Sequence, residues 1–229
     1  MLGDYAIKNT AVVIAALNEE QGVGLTIQEV SKNLLTNHIL VVDGHSSDRT
    51  VEVAKDCGAE IIFQQGIGKG DAIAQAIASM DEGIEYVVLT DADYTYPAEY
   101  LPEMIEILEQ NPHVGMVCGN RFNGDVDGKA LHTKFYVGNR MLAFAHGLLN
   151  NVELEDPLTG LRVVRAQILR NWTIKSRVFD IEVELNSQVQ KQAYTTVEIP
   201  IKYRPRVGEK KLKIKHGATI LKRIILETR

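Results

Sequence analysis

The chain has 229 residues and 25.5 kDa, with 45% apolar residues, 24% charged residues and a formal net charge of −5. That balance excludes a disordered or collagen-like chain, and the length allows a sizeable core without a disulfide or zinc staple. The two cysteines, Cys57 and Cys118, stand far apart with no CxxC, which argues against a thiolate metal site and fits a reducing cytosol.

Ala11–Ala15 reads as a first buried strand. Asn18 is placed to cap a helix over 19–36, with Val23, Ile27, Val30 and Leu34 at helical spacing. Ile39–Val42 is a second strand ending at Asp43, followed by the turn Gly44-His45-Ser46-Ser47 and a helix from Asp48 to about Cys57. Glu60–Phe63 is a third strand. The glycine-rich turn Gly66–Gly70 then opens a helix over 71–80. Tyr86–Leu89 is a fourth strand that runs into Asp91-Ala92-Asp93. A helix from Pro97 to about Gln110 leads to a fifth strand, Val114–Val117. Further on, helices are expected over roughly 130–149 and 180–191, and an extended run over 195–203.

This alternation predicts an α/β fold, a Rossmann-like, mostly parallel sheet with helices on both faces. One domain over 1–229 is expected: a nucleotide-binding half over about 1–120, an acceptor-side addition over about 121–203, and a basic tail over about 204–229. In such sheets ligands bind outside the carboxyl ends of the strands. The polar clusters fall there: Asn18-Glu19-Glu20, Asp43, Gly66–Gly70 and Asp91-Ala92-Asp93.

Two carboxylates one residue apart, Asp91 and Asp93, suit a hard divalent ion carrying a diphosphate. A solvated turn before Pro97 is the plainer reading. Asp43 is placed to accept from a base N–H or to close an Asx-turn with Ser46 while Asp48 caps the next helix. Lys69 sits in a glycine turn at a helix N-terminus, where phosphate is well received. That turn fits neither a P-loop nor a dinucleotide fingerprint. His45, His132 and His146 have no ligand spacing.

Charge is unevenly placed. From Lys202 to Arg229 ten Lys/Arg stand against two Glu, which is +8 and leaves −13 on the other 201 residues. The acidic body argues against nucleic acid, and the basic end suits an anionic partner. Ile220-Leu221 and Ile224-Ile225 share a helical face, so this end reads either as an interfacial amphipathic helix or as one packed on the domain. No basic, apolar leader is read at the N-terminus and no run of about 18 apolar residues occurs, so a soluble or peripheral protein is expected.

Taken together, the clusters resemble a known family. Val12–Glu20 is similar to its opening VVIPAYNEE, Val41–Thr50 to VVDDGSTDGT, Gly68–Ala72 to GKGxA, and Asp91-Ala92-Asp93 is the DxD. These are signatures of family-2 inverting glycosyltransferases with a GT-A fold. Gly119–Phe122, Val137–Arg140, Asp156–Arg162, Phe179–Glu184, Ile199–Tyr203 and Arg206–Lys213 further resemble the dolichyl-phosphate sugar synthases. Ala15 stands in place of a proline, Leu17 of an aromatic, Gly44 of an aspartate and Thr95 of a frequent glutamine. The pattern around Asp91–Tyr96 leans toward enzymes using UDP-glucose or UDP-N-acetylglucosamine and leaves GDP-mannose open.

The resemblance implies transfer of a hexose from a nucleotide-diphosphate sugar to dolichyl or polyprenyl phosphate, with Mg²⁺ or Mn²⁺. It implies a nucleotide-sugar site of Ala15, Leu17, Glu19, Asp43, Lys69, Asp91, Ala92 and Asp93, with Asp91 and Asp93 at the metal. Arg121, Lys134, Arg140, Arg162, Arg206 and Lys210 are the candidates for the acceptor phosphate, since arginine offers it two-point geometry. Asp93, Asp156, Arg121 and Arg206 are expected to carry the reaction. Asp156 reads equally as an acceptor-steering group, a base or a turn cap. The expected place of work is the cytoplasmic face of a membrane, reached peripherally or through a membrane-anchoring protein partner. A soluble or glycan hydroxyl acceptor, and a silent nucleotide-binding subunit of a membrane complex, stay open as alternatives.

Overall fold

A computed structural model describes residues 9–36, 38–122, 134–209 and 216–228. Its centre is a seven-stranded sheet: β1 (Thr10–Ala16), β2 (Ile39–Asp43), β3 (Glu60–Phe63), β4 (Tyr86–Asp91), β5 (Val114–Asn120), β6 (Arg162–Arg165) and β7 (Thr195–Pro200). The order is β3-β2-β1-β4-β6-β5-β7. Only β6 runs antiparallel to its neighbours, β4 and β5.

Helices cover both faces: α1 (Val23–Asn33), α2 (Thr50–Asp56), α3 (Lys69–Ser79), α4 (Leu101–Gln110), α5 (Lys134–Asn150), α6 (Ala166–Arg170), α7 (Ile181–Lys191) and α8 (His216–Leu226). Successive strand residues point to opposite faces, and both faces of β1 are apolar. Val12 and Ile14 join Val23, Ile27 and Val30 of α1 and Met104, Ile105 and Leu108 of α4. Ala11 and Val13 join Ile73 and Ala76 of α3 and Leu185 and Val189 of α7. Each fully buried aliphatic side chain contributes about 1.5–3 kcal/mol.

The start of the helix read over 19–36 and the capping role of Asn18 need correction. Helix α1 starts at Val23, not Glu19, because Glu19–Gly22 form a turn in which the Glu19 carbonyl accepts from Gly22 and Val23 N–H. Asn18 therefore caps nothing in α1; it adopts φ +50° and its side chain accepts from Ser47 N–H at 2.8 Å. Strand β6 was not anticipated. The C-terminal helix packs on the domain through Ile220 and Ile224, against Val183, Leu142 and Phe179.

Strand direction places the site. In the register, Ala16 pairs with Asp43 and Ala15 with Asp91, so the ends of β1, β2 and β4 meet at one edge. Strand β5 runs with β4 because two antiparallel steps separate them, and it delivers Asn120 and Arg121 to the same edge. After β7 the chain turns back along this edge. Arg204 N–H bonds the Thr95 carbonyl at 3.0 Å and Val207 N–H the Asp93 carbonyl at 3.1 Å.

Candidate functional site

The loops after β1 and β2 are zipped together. Asn18 N–H donates to Ser46 Oγ at 2.8 Å, Glu19 N–H to Thr50 Oγ1 at 2.7 Å, and Glu20 N–H to Asp48 Oδ2 at 3.2 Å. Asp43 is fully buried and closes the Asx-turn, taking Ser46 N–H at 2.9 Å. Asp48 takes Thr50 N–H at 3.0 Å. Leu17 and His45 stand at the rim of this wall, Leu17 exposed and the His45 ring 6.4 Å from that of Phe63.

The Asp91–Asp93 turn is held from every side. Asp93 accepts from Thr95 Oγ1 at 2.6 Å and Thr95 N–H at 3.2 Å, and Tyr94 takes φ +61°. The Arg204 guanidinium lies 4.5 Å from the Tyr94 ring centroid and is pinned by Glu29 at 2.6 and 2.7 Å. Gly22 lets helix α1 approach: a Cβ there would stand 2.6 Å from the Ala92 carbonyl oxygen. Gly160 does the same from the other side, 2.5 Å from Asp91 Oδ2.

Lys69 Nζ bonds Asp91 Oδ1 at 2.7 Å and Glu182 Oε1 at 2.8 Å. Burial works against its charge, yet the two carboxylates outweigh that and hold the ammonium above the ordinary lysine value. Its loop needs two glycines, since a Cβ at Gly68 or Gly70 would stand 2.0 Å from the carbonyl oxygens of Arg177 and Ser176. Gly68 also has φ +87°, a conformation that suits glycine.

Arg206 joins two donor-side groups. It bonds Glu19 Oε1 at 2.6 Å and lies 3.5 Å from Asp93 Oδ2. Burial and the charge of Asp91 push the Asp93 carboxyl up, and Thr95 and Arg206 offset this only in part. The two aspartates offer hard oxygen donors, the kind that Mg²⁺ or Mn²⁺ prefers. Among the described residues no group of three His, Cys, Asp or Glu is placed to hold an ion.

On the acceptor side, Arg121 Nε and Nη2 bond the two oxygens of fully buried Asp156 at 2.6 and 2.7 Å. Burial opposes the charge of Arg121, but Tyr96, Asp156 and Tyr203 hold its proton well above the ordinary arginine value. Glu198 bonds the N–H groups of Glu155 and Asp156 at 2.7 and 2.8 Å and so fixes this turn. Arg140 is exposed, 5.6 Å from the Phe122 ring centroid, and bonds the Glu155 carbonyl at 3.4 Å. Tyr96 joins the two sides: its hydroxyl accepts from Gly160 N–H at 2.7 Å and its ring meets Tyr203 edge-on at 5.2 Å.

The expected site residues therefore divide. Glu19, Asp43, Lys69, Asp91, Ala92 and Asp93 gather at the ends of β1, β2 and β4, with Ala15 and Leu17 beside them, and Arg206, expected at the acceptor phosphate, joins Glu19 and Asp93 there. Arg121, Asp156 and Arg140 gather around the 155–156 turn. Arg162 belongs to neither. It is buried, and its guanidinium donates to the Thr159 and Pro157 carbonyls and to Asn186 Oδ1 at 2.9, 2.6 and 2.6 Å. It braces the 156–160 turn. Lys210 and the side chain of Lys134 lie outside the described residues. Glu182, Glu29, Arg204, Tyr96 and Glu198 were not singled out from sequence; of these, only Glu182 and Tyr96 lay in stretches with a family likeness.

A dolichyl-phosphate hexose transferase of Haloferax volcanii is 32% identical over 228 residues, covering 97% of this chain and 95% of that enzyme. A dolichol-phosphate mannosyltransferase of Pyrococcus furiosus is 24% identical over 92% of this chain, which spans 60% of that enzyme. Glucosyl-3-phosphoglycerate synthase from Mycobacterium tuberculosis, solved with Mn²⁺, uridine diphosphate and phosphoglyceric acid, superposes with a TM-score of 0.76. That match covers 99% of this chain and 81% of the synthase at 18% identity, which shows a shared GT-A fold. The profile of glycosyl transferase family 2 matches residues 11–173. With the parallel edge, the aspartate turn and a full-length relative in agreement, the chain belongs to glycosyl transferase family 2.

Proposed function

We propose that this glycosyltransferase moves a hexose from a nucleotide-diphosphate sugar to dolichyl or another polyprenyl phosphate. UDP-glucose and UDP-N-acetylglucosamine are the favoured donors, with GDP-mannose as the competitor. One observation carries the reading: the donor-side aspartates and the acceptor-side Arg121–Asp156 pair share a wall. Gly160 abuts Asp91 and is bonded by Tyr96, and Tyr96 in turn touches Tyr203, whose ring lies 5.5 Å from the Arg121 guanidinium carbon. The near full-length likeness to an enzyme named for this chemistry supports it.

Asp43 and the 43–50 turn form the wall against which the nucleoside sits. Lys69 and Arg206 hold Asp91 and Asp93 in place and bring positive charge toward the diphosphate. Mg²⁺ or Mn²⁺, held by Asp93 and Asp91 together with diphosphate oxygens, would supply electrostatic stabilisation of the leaving group. The nucleophile is a phosphate oxygen. A phosphate monoester has a second pKa of about 6, so it is already ionised at neutral pH and needs no protein base. What it needs is cationic charge that holds two anions close, and Arg140 with the Phe122–Arg121 surface is placed to give it. Asp156, locked on Arg121, positions that arginine and does not act as a base.

Such an acceptor places the work at a membrane surface, and a cytoplasmic face is the expected one. Among the described residues no helix is long and apolar enough to cross a membrane. The test is the product. Purified chain, radiolabelled donor and polyprenyl phosphate in detergent should yield an organic-extractable labelled lipid. Label transferred only to phosphoglycerate or to glycan hydroxyls would replace this reading.

A further inference from the structure

Helix α5 carries an apolar stripe that the domain does not cover. Val137, Met141, Phe144 and Leu148 follow at intervals of four, three and four, which is one face of a helix. They are 54%, 69%, 73% and 73% exposed. The other side of α5 packs inward: Ala143 and His146 are buried, and Asn150 bonds the Ile224 carbonyl of α8 at 2.9 Å. Single exposed apolar residues are ordinary, whereas a row of four large ones marks a binding surface.

Charge indicates what binds there. The chain holds 30 acidic residues, yet neither α5 nor α8 contains one. Arg140 lies three residues from Val137 and four from Phe144, so it flanks the stripe. Lys222 is exposed on α8, beside exposed Leu221 and near Ile225. An apolar stripe flanked by Arg140, on a helix without acidic residues, complements an anionic lipid surface. A second copy fits less well, because two-fold pairing would set the same cationic, acid-free face against itself. Position agrees as well. Through Arg140 and Phe122 the stripe begins at the acceptor side of the cleft.

We propose that the outer face of α5 is a membrane-docking surface that seats the enzyme on anionic lipid. The proposal rests on the polyprenyl-phosphate reading and names the surface through which that acceptor is reached. The helix lies in the interfacial plane, with Met141, Phe144 and Leu148 among acyl chains and Arg140 at the level of the phosphates.

The test is co-sedimentation of the full chain with vesicles of phosphatidylcholine containing about one third phosphatidylglycerol. The paired substitution Phe144→Glu and Leu148→Glu should weaken binding roughly tenfold or more, with an unchanged circular dichroism spectrum. Leu35→Glu, which alters an equally exposed residue elsewhere (74%), should not change it. Turnover of a short, water-soluble prenyl phosphate should be the same in all three proteins. Unchanged vesicle binding by the double variant, or none by the wild type, overturns the docking surface. So does a wild-type dimer in solution that the double variant converts to monomer without vesicle binding. A wild type that binds vesicles through α5 yet never transfers sugar to a prenyl phosphate would instead overturn the acceptor reading and leave the surface standing.

Discussion

Arg121 and Asp156 meet at two points, 2.6 and 2.7 Å, with Asp156 fully buried and the Arg121 backbone N–H adding a third bond at 3.1 Å. Removing one partner of a buried pair costs about 3–5 kcal/mol because a charge is left uncompensated. Asp156→Asn should therefore lower the urea unfolding midpoint clearly and raise the acceptor KM more than it lowers kcat. Unchanged stability with kcat alone abolished would make Asp156 a base instead.

Lys69 couples two halves of the chain, Asp91 at the end of β4 and Glu182 on α7. Lys69→Met leaves both carboxylates facing each other, so the donor-binding turn should loosen. A double-mutant cycle of Lys69→Met with Glu182→Gln should show coupling of about 1–3 kcal/mol in stability. Coupling near zero would show that the contact carries no energy.

Gly22 is a steric prediction. A methyl there meets the backbone of the Asp91–Asp93 turn, which has no side-chain freedom with which to yield. A displacement near 1 Å typically costs about 100-fold in rate. Gly22→Ala should thus cut kcat/KM for the donor by about 10–100-fold with the fold retained. Gly83→Ala, with nothing within 4 Å of the added Cβ, should be neutral.

His146 gives a pH signature. Burial, with the Arg162 cation nearby, lowers its pKa from 6.5 to about 4. The unfolded chain binds this proton from about pH 6.5 downward and the folded chain only near 4, so the contribution of neutral His146 is present above 6.5 and lost between 6.5 and 4. Across that window it amounts to about 3 kcal/mol. His146→Gln should flatten the fall in stability over pH 6.5–4 relative to wild type, measured by urea melts at several pH values. Parallel curves for the two proteins would contradict the assignment.

Much of the donor side could be read from local pattern. Apolar runs ending in Asp43 and Asp91, each followed by a turn, are short-range signals, and parallel strands carry such ends to one edge. The acceptor side rests on contacts that spacing does not report. Strand β6 is only Arg-Val-Val-Arg, too short and too basic at its ends to stand out, yet its reversal sets the whole second half. Arg162 looked like a phosphate ligand because an arginine in a motif reads as exposed charge. Its burial depends on Asn186, 24 residues away on α7. Lys69 and Glu182 are 113 residues apart, so no local window joins them. The tail was legible as amphipathic, but the division of its apolar pairs was not: Ile220 and Ile224 face the domain, while Leu221 and Ile225 stay exposed.

In the proposed reaction Asp91 and Asp93 serve transfer of a hexose to a lipid phosphate. The most direct measurement is release of nucleoside diphosphate with Mn²⁺ or Mg²⁺ from UDP-glucose, UDP-N-acetylglucosamine and GDP-mannose, each with and without dolichyl phosphate. One donor should show lipid-dependent release, lost on chelation. Asp93→Ala should reduce it by several kcal/mol of transition-state stabilisation, on the order of 1,000-fold. Release that is independent of the lipid with every donor, or undiminished in folded Asp93→Ala, would contradict the account.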